Sequence, residues 1–250
     1  MKTAVIIPAL NEAGNIARLV QETFQQPVGC VIVVDNGSTD DTAVLANEMG
    51  ATVISETRQG YGYACAAGTA VALREEADVL VYMDGDFSSL PGEMMRLLEP
   101  IQNGEADLVL GSRTLGDIAS GAMLLHQRFG NWLSSRLMSR LYHIKVTDLG
   151  PYRAIRSDLM RDLDMQEMTF GWPTEMMVKT ARRKNGILEV PVSWHVRRSG
   201  QSKVSGTLRG SLLAAYYILG VTLRYAWQSD EKSSAYESSV DTSVLDSSHE

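Results

Sequence analysis

The chain has 250 residues, of which 44% are hydrophobic and 21% are charged, and its mean hydropathy is −0.09. A chain of this length and composition can bury a sizeable apolar core, which excludes a disordered, collagenous or disulfide-built protein. The formal charge of −7 argues against a general nucleic-acid binder. The two cysteines, Cys30 and Cys65, lie in apolar runs, so we expect reduced core residues of a cytoplasmic protein.

The apolar segments are too short to predict export or a membrane span. The first of them, residues 4–8, is shorter than a secretory signal requires. No stretch reaches the ~18–20 apolar residues of a spanning helix. The longest candidate, residues 212–223, is bracketed by Arg209 and Arg224, so we expect a core helix or an interfacial one.

The first 111 residues alternate short apolar runs with segments of helical pattern. The runs are continuous and rich in β-branched residues, which predicts buried strands at residues 4–8, 31–35, 52–55, 79–84 and 107–111. Helices are predicted between them at residues 12–25, 40–49, 63–76 and 92–102. This alternation predicts an α/β fold with a mostly parallel sheet, in which ligands bind beyond the carboxyl ends of the strands.

The pattern changes after residue 111. We predict a long amphipathic helix, a loop, a second helix, two strands and a closing helix, at residues 124–143, 148–153, 173–184, 187–190, 192–196 and 207–227. Residues 228–250 are rich in serine and carry six acids against one lysine. We therefore predict a disordered acidic tail at residues 228–250.

A pair of carboxylates, Asp84 and Asp86, ends the fourth predicted strand with Gly85 between them. Two carboxylates at a strand end can hold a hard divalent cation against a diphosphate, and the glycine leaves space for the ligand. The alternative is a solvated turn, since aspartate and glycine are common turn residues. The position at the expected edge of a parallel sheet favours the binding role.

A further carboxylate, Asp35, ends the second predicted strand. It can accept hydrogen bonds from a nucleoside, as the acidic residue of dinucleotide folds does. For Ser38 and Asp40, which follow it, capping of the next helix is the favoured role. Residues 8–12 (PALNE) place more polar groups at the same edge.

Cations are concentrated at residues 197–203 (RRSGQSK), where three of them surround a glycine. Such a segment either binds phosphate through its guanidinium and ammonium groups or is a solvated basic loop. The apolar helix that follows favours the first role, because a lipid phosphate would lie at this junction. Walker A, serine nucleophile-elbow and HExxH zinc motifs do not occur in the sequence.

Taken together and in order, these motifs resemble family 2 glycosyltransferases of the GT-A fold. The similarity lies in residues 5–12 (VIIPALNE), 33–40 (VVDNGSTD) and 84–86 (DGD). Downstream, residues 147–153 (TDLGPYR) and 197–203 are similar to the branch of dolichyl-phosphate mannose and glucose synthases. The resemblance implies a Rossmann-like, mostly parallel sheet flanked by helices in a single domain, with a C-terminal amphipathic helix.

The resemblance implies a role for each group. Asp84 and Asp86 would bind Mg²⁺ or Mn²⁺ and, through the cation, the diphosphate of a sugar nucleotide. The nucleoside would contact four residues near the first two strands: Pro8, Leu10, Glu12 and Asp35. The candidates for the donor and acceptor phosphates are four basic residues: Arg128, Arg153, Arg197 and Lys203. Mannosyl synthases often carry Gln or His where this chain has Ser88, which leaves a third metal ligand and the mannose assignment open.

The implied reaction is an inverting transfer of a hexose from a GDP-mannose or UDP-glucose type donor to a polyprenyl or dolichyl phosphate. A lipid phosphate is ionised at neutral pH, whereas a hydroxyl acceptor, soluble or polysaccharide, needs a general base. Asp148 is the first candidate for that base and Glu175 the second. The structural alternatives are a turn cap for Asp148 and an ion pair with Lys179 or Arg182 for Glu175.

We predict one catalytic domain at residues 1–227, with a nucleotide-sugar half at 1–111 and an acceptor half at 112–227. Its closing helix carries four aromatic residues among aliphatic ones, which suits either a membrane-interface belt or packing on the domain: Tyr216, Tyr217, Tyr225 and Trp227. Peripheral attachment at the cytoplasmic face of the membrane is the favoured interpretation.

Overall fold

A computed structural model of the chain describes residues 1–199 and 208–227. The strands in this part are β1 (Thr3–Ala9), β2 (Cys30–Asp35), β3 (Thr52–Ser55), β4 (Val79–Tyr82), β5 (Leu108–Ser112), β6 (Arg153–Arg156) and β7 (Ile187–Pro191). The α-helices are α1 (Ala13–Phe24), α2 (Thr42–Glu48), α3 (Tyr61–Arg74), α4 (Met94–Gln102), α5 (Leu125–Tyr142), α6 (Ser157–Leu163), α7 (Trp172–Arg182) and α8 (Leu208–Trp227). A short 3-10 helix at Pro91–Glu93 precedes α4.

The strands form one seven-stranded sheet in the order β3-β2-β1-β4-β6-β5-β7. Only β6 among them runs antiparallel to its neighbours, β4 and β5, so the predicted mostly parallel α/β sheet is confirmed. β1 lies between β2 and β4 in parallel register, with Val5 opposite Val31 on one side and Val81 on the other. The carboxyl ends of these three strands therefore meet at one edge of the sheet.

The core lies on both faces of the sheet. Successive side chains of a strand point to opposite faces, so Ile6 and Ile32 join one apolar cluster while Ile7 and Val33 join the other. This two-sided burial explains why the strands are continuous apolar runs in the sequence. Cys65 is buried in the first cluster, and both cysteines are free thiols, as predicted.

Three elements differ from the sequence prediction. Helix α6 (Ser157–Leu163) was not predicted at all. Residues 153–156 (RAIR), of which only Arg153 belonged to the predicted loop at 148–153, form strand β6, because backbone pairing with β4 and β5 outweighs the weak local signal of four residues that begin and end with arginine. The strand predicted at residues 192–196 is wrong: this segment makes only an isolated bridge between Trp194 and Ile118. The predicted tail at residues 228–250 lies outside the described residues.

The long helix α5 packs against α7 and α8, and the hydroxyl of Tyr142 donates to the carbonyl of Thr222 at 2.6 Å. Packing on the domain, one of the two roles expected for α8, is therefore present, although Tyr216 and Trp227 stay largely exposed. None of the helices within residues 1–199 and 208–227 has the length and apolar character to cross a bilayer.

The first turn of α3 lies directly against the loop that precedes α7. Tyr63 N–H donates to the carbonyl of Met168 at 3.2 Å. A Cβ atom on Gly62 would lie 2.5 Å from the Cα atom of Met168, a distance that non-bonded carbon atoms cannot adopt. Only glycine therefore allows this loop to reach the helix.

We expect Gly62→Ala to lower the free energy of unfolding by about 1–3 kcal/mol, because the backbone of the facing loop must move to admit the methyl group. The control is Gly130→Ala on α5, where the added Cβ meets nothing within 4 Å and alanine is the better helix former. Urea unfolding of both variants measures the difference. Equal stability of the two would contradict the close approach.

Candidate active site

Asp84 and Asp86 lie just beyond the end of β4, beside the end of β1, as the sequence predicts. The turn after them is fixed by Ser88, whose N–H and hydroxyl donate to Asp86 Oδ1 at 3.0 and 2.6 Å. Phe87 between them has a φ of 65°, a left-handed conformation that costs a non-glycine residue energy. Ser88 is itself buried, so it orients Asp86 from below the surface.

Asp84 lies in a site that disfavours its charged form. Burial and the neighbouring carboxylate of Asp86 raise the pKa of Asp84, while Arg113 and a hydrogen bond from Tyr61 oppose the rise. A divalent cation between the two carboxylates would offset this unfavourable charge. The environment of Asp84 therefore fits a cation site.

The donor set at this edge consists of hard oxygen atoms. Carboxylate oxygens are the ligands that Mg²⁺ and Mn²⁺ prefer, and Mg²⁺ is commonly held by one or two carboxylates together with substrate phosphates. Within residues 1–199 and 208–227, no cluster of three or more His, Cys, Asp or Glu side chains forms a complete metal site. Asp84 and Asp86 therefore suit a cation whose remaining ligands come from a diphosphate and water.

Arg113, which follows β5, faces the same edge and is held there by Asp148. Its guanidinium donates to both carboxylate oxygens of Asp148, at 2.8 and 2.6 Å, and its N–H donates at 2.7 Å. The guanidinium also stacks over the ring of Trp194 at 4.9 Å. Asp148 has no exposed surface, and although burial opposes it, the Arg113 charge and hydrogen bonds hold the pKa of Asp148 below its ordinary value.

This environment bears on the expected general base. A base needs a free lone pair and a pKa close to the operating pH, and Asp148 has neither. The geometry instead suits a carboxylate that positions Arg113.

Glu12 and Arg197 form a buried ion pair that links the end of β1 to the segment after β7. Arg197 donates to Glu12 Oε1 at 2.6 Å, and the same terminal nitrogen lies 3.7 Å from Asp86 Oδ2. The other Glu12 oxygen accepts from Asn15 at 2.7 Å. Within residues 1–199 and 208–227, the buried Arg197 Nε atom has no hydrogen-bond partner.

The segment that carries Arg197 crosses the edge of the sheet. His195 N–H donates to the carbonyl of Ser88 at 2.9 Å, and Arg198 stacks over the ring of Phe87 at 4.3 Å. Of the predicted basic cluster, Arg197 and Arg198 therefore lie beside the carboxylate pair. Lys203 lies outside the described residues.

Asp35 ends β2 half-buried, and one of its oxygens accepts from Ser38 N–H at 3.0 Å. The loops after β1 and β2 are tied together, since Asn11 accepts from Thr39 N–H at 2.7 Å and Asp40 accepts from Ala13 N–H at 3.1 Å. Asp40 thus contacts the start of α1 as well as the start of α2. Pro8 and Leu10 are half-buried at the end of β1, next to these two joined loops.

Three other predicted site residues lie on α5, β6 and α7, and they are Arg128, Arg153 and Glu175. Arg153 is 1% exposed and donates to the carbonyls of Gly150, Pro173 and Leu149, which corrects the expected phosphate contact, because its guanidinium has no surface to offer. Arg128 lies exposed on α5.

Glu175 is buried and accepts from the hydroxyl of Tyr225 at 2.6 Å. Its ion pair with Lys179 at 2.8 Å is the structural role that the sequence left open.

Arg113 and Tyr61 were not predicted from the sequence. Arg113 follows β5 as a lone charge, and its partner Asp148 is 35 positions away, so no local spacing marks the pair. Tyr61 lies between Gly60 and Gly62 at the start of α3, and this glycine pair was the only local signal for it.

Comparisons with known proteins identify the family of this chain. The sequence model of Glycosyl transferase family 2 matches residues 4–164. The chain belongs to this family, and it is a glycosyltransferase. The predicted family is therefore confirmed by a match to more than half of the chain.

Two relatives narrow the assignment within the family, and one solved structure bears on the fold. An undecaprenyl-phosphate mannosyltransferase of Micrococcus luteus is 31% identical over 90% of this chain and 96% of its own length. A polyprenol monophosphomannose synthase of Mycolicibacterium smegmatis is 32% identical over 82% of each chain. Glucosyl-3-phosphoglycerate synthase of Mycobacterium tuberculosis, solved with Mn²⁺, UDP and phosphoglyceric acid, has a TM-score of 0.73 and 22% identity over 92% of this chain and 80% of its own. The relatives confirm the predicted branch, and the solved structure confirms the GT-A fold.

We expect Asp148→Asn to lower the free energy of unfolding by about 3–5 kcal/mol at pH 7, because it leaves the Arg113 guanidinium without its counter-ion. The folded pKa of Asp148 lies below its unfolded value of about 3.9, so the stabilisation is complete above about pH 5 and is lost as the pH falls through the folded value. Urea unfolding at several pH values measures it. Exposed Asp162→Asn is the control, and equal losses for the two variants would contradict the role given to Asp148.

Proposed function

We propose that this glycosyltransferase moves a hexose from a nucleotide sugar of the GDP-mannose or UDP-glucose type to a polyprenyl phosphate, with inversion at the anomeric carbon. The proposal rests on the family, on the named activities of the relatives and on the charges at the carboxyl edge of the sheet. The membrane face we propose is the cytoplasmic one, which agrees with two free thiols.

The donor is proposed to lie along the edge formed by β1, β2 and β4. Asp35 offers a half-buried carboxylate to the nucleoside, and Pro8 and Leu10 line the adjacent strand end. The diphosphate then lies towards Asp84 and Asp86. Glu12, which we expected at the nucleoside, is better explained as the residue that holds Arg197 beside the diphosphate.

Asp84 and Asp86 are the residues proposed to hold Mg²⁺ or Mn²⁺. When bound, such a cation neutralises the charge that develops on the leaving diphosphate. Ser88 keeps Asp86 in the orientation required, and Tyr61 favours the charged form of Asp84 by lowering its pKa. Arg197 adds a fixed positive charge close to Asp86, where preorganised charge favours departure of the diphosphate.

The environment of Asp148 carries the acceptor assignment. A hydroxyl acceptor needs a base, and the first candidate for it is bound by Arg113 through both oxygens. The second candidate, Glu175, is buried and bound by Lys179 and Tyr225. A phosphate acceptor needs no base, and the Arg113 guanidinium at this edge suits its charge. These contacts favour a phosphate over a hydroxyl as the attacking group.

The test is a transfer assay with purified protein, labelled GDP-mannose or UDP-glucose, Mg²⁺ or Mn²⁺, and either a polyprenyl phosphate or a polyprenol as acceptor. We expect labelled lipid from the phosphate and none from the alcohol. Product from the alcohol at a comparable rate would favour a hydroxyl acceptor. Absence of product with every donor would contradict the proposal.

We expect Asp86→Asn to lower kcat/KM by about 10²–10³-fold, because the variant loses a charged ligand where the diphosphate charge develops. The control is Asp78→Asn, an exposed residue at the opposite end of the same strand, which should keep full activity. The assay above measures both variants, with circular dichroism as a check on folding. Wild-type activity of Asp86→Asn would refute the metal role of this carboxylate.

We expect Arg197→Gln to raise the KM for the nucleotide sugar about 10–100-fold, the value of one charge-assisted hydrogen bond to a phosphate. The matched control is Arg74→Gln, an exposed cation at the end of α3. Initial rates at varied donor concentration separate KM from kcat. An unchanged KM in the Arg197 variant would remove this residue from the donor site.

A further inference from the structure

Helix α5 buries mostly polar side chains and exposes several large apolar ones. Its buried residues are mostly polar, namely Asn131, Ser134, Ser135 and Met138. Its exposed residues include the large apolar side chains Leu125, Phe129 and Trp132, which are 82%, 62% and 53% exposed. A helix of a globular domain ordinarily shows the opposite arrangement, so this face is built to contact something other than water.

The apolar residues form one continuous stripe. Leu125, Phe129, Trp132 and Leu133 are spaced by four, three and one residues, which places them on one side of a helix. The rings of Phe129 and Trp132 lie 5.8 Å apart, so the two aromatic residues form a single exposed surface. Leu124, just before the helix, is also exposed and extends it.

The segment of the chain that carries this stripe has only basic charged residues. Residues 118–147 contain no aspartate or glutamate, although the whole chain carries a net charge of −7. The cations of this segment are Arg128, Arg136, Arg140 and Lys145, all exposed. Arg136 lies over the ring of Trp132 at 6.0 Å, which places a guanidinium at the border of the apolar surface.

These features favour an anionic lipid surface as the partner that contacts the apolar stripe of α5. Aromatic and aliphatic side chains on one face with arginine around them are the pattern of helices that lie in the membrane interface, and anionic head groups attract the cations. A second copy of the chain is disfavoured, because a two-fold contact brings like charges of the two helices together.

We propose that the stripe formed by Leu124, Leu125, Phe129, Trp132 and Leu133, called here the α5 face, inserts into the surface of an anionic bilayer. This inference deepens the proposed function, since it names the surface that brings the enzyme to a lipid-borne acceptor. It places the attachment on α5, whereas the sequence pointed to the closing helix.

The α5 face is connected to the candidate active site. Asn131, on the buried side of the helix, accepts from Leu149 N–H at 3.0 Å and donates to the carbonyl of Thr147 at 3.3 Å. These two residues flank Asp148, which holds Arg113. A bilayer bound to the α5 face therefore lies on the opposite side of the helix from Asn131, which supports the residues next to Asp148.

The experiment is flotation of the purified full chain with vesicles of phosphatidylcholine containing about 30% phosphatidylglycerol, without donor or acceptor. We expect wild type to float, and Phe129→Ser/Trp132→Ser to lower the vesicle partition coefficient about tenfold or more. The control is Val44→Ser on α2, which removes an apolar side chain that is 56% exposed elsewhere and should bind as wild type does. Arg136→Gln/Arg140→Gln should weaken binding to the anionic vesicles and leave the weaker binding to pure phosphatidylcholine unchanged.

Transfer assays separate this inference from the proposed function. The Phe129→Ser/Trp132→Ser variant should keep wild-type activity on polyprenyl phosphate in detergent micelles and lose activity on the same acceptor embedded in vesicles. Wild-type protein that stays unbound, or a double variant that floats as wild type does, would overturn the α5 face as a membrane surface, whatever the detergent assay shows. Dimerisation of wild type that the double variant abolishes, without vesicle binding, would assign the face to a second copy and also overturn it.

Discussion

Two carboxylates can lie close together at a half-buried edge only when positive charge offsets their repulsion and the loss of solvent. Asp84 and Asp86 meet this constraint through groups on distant parts of the chain. Arg113 faces Asp84 from the end of β5, and Arg197 reaches Asp86 from the segment after β7. The negative charge of the carboxylate pair is therefore only partly compensated. A bound divalent cation would stabilise the pair further.

Each of these arginines is held by a buried carboxylate of its own. Asp148 binds Arg113 through both oxygens, and Glu12 binds Arg197. A long cationic side chain loses much conformational freedom when it is fixed, and these carboxylates fix it before any ligand arrives. Asp148, expected as a general base, and Glu12, expected at the nucleoside, are thus better understood as the residues that hold these two arginines.

The sequence predicts what is encoded locally. Asp84 and Asp35 were placed correctly at the edge because each directly follows a continuous apolar run, and the chain order of strands and helices in the first 111 residues was confirmed for the same reason. The pairing of Arg113 with Asp148 was not predictable, because it joins residues that only the sheet brings together. Strand β6 was missed since its four residues carry no apolar period and gain their structure from β4 and β5. The predicted division at residue 111 stays a prediction.

The position of β6 has a consequence for how this protein reaches its fold. The strands β4 and β5 are consecutive in the chain, yet they do not touch as neighbours, because a strand from residues 153–156 separates them. During synthesis the sheet stays split until some 40 further residues have emerged, so its assembly depends on contacts of long sequence separation. A fragment that stops after β5 has an open edge on β4, where the missing strand would otherwise pair. The part of the chain before residue 112 therefore completes its sheet only with a strand from the part after it, and the two parts cannot be exchanged between proteins as separate modules.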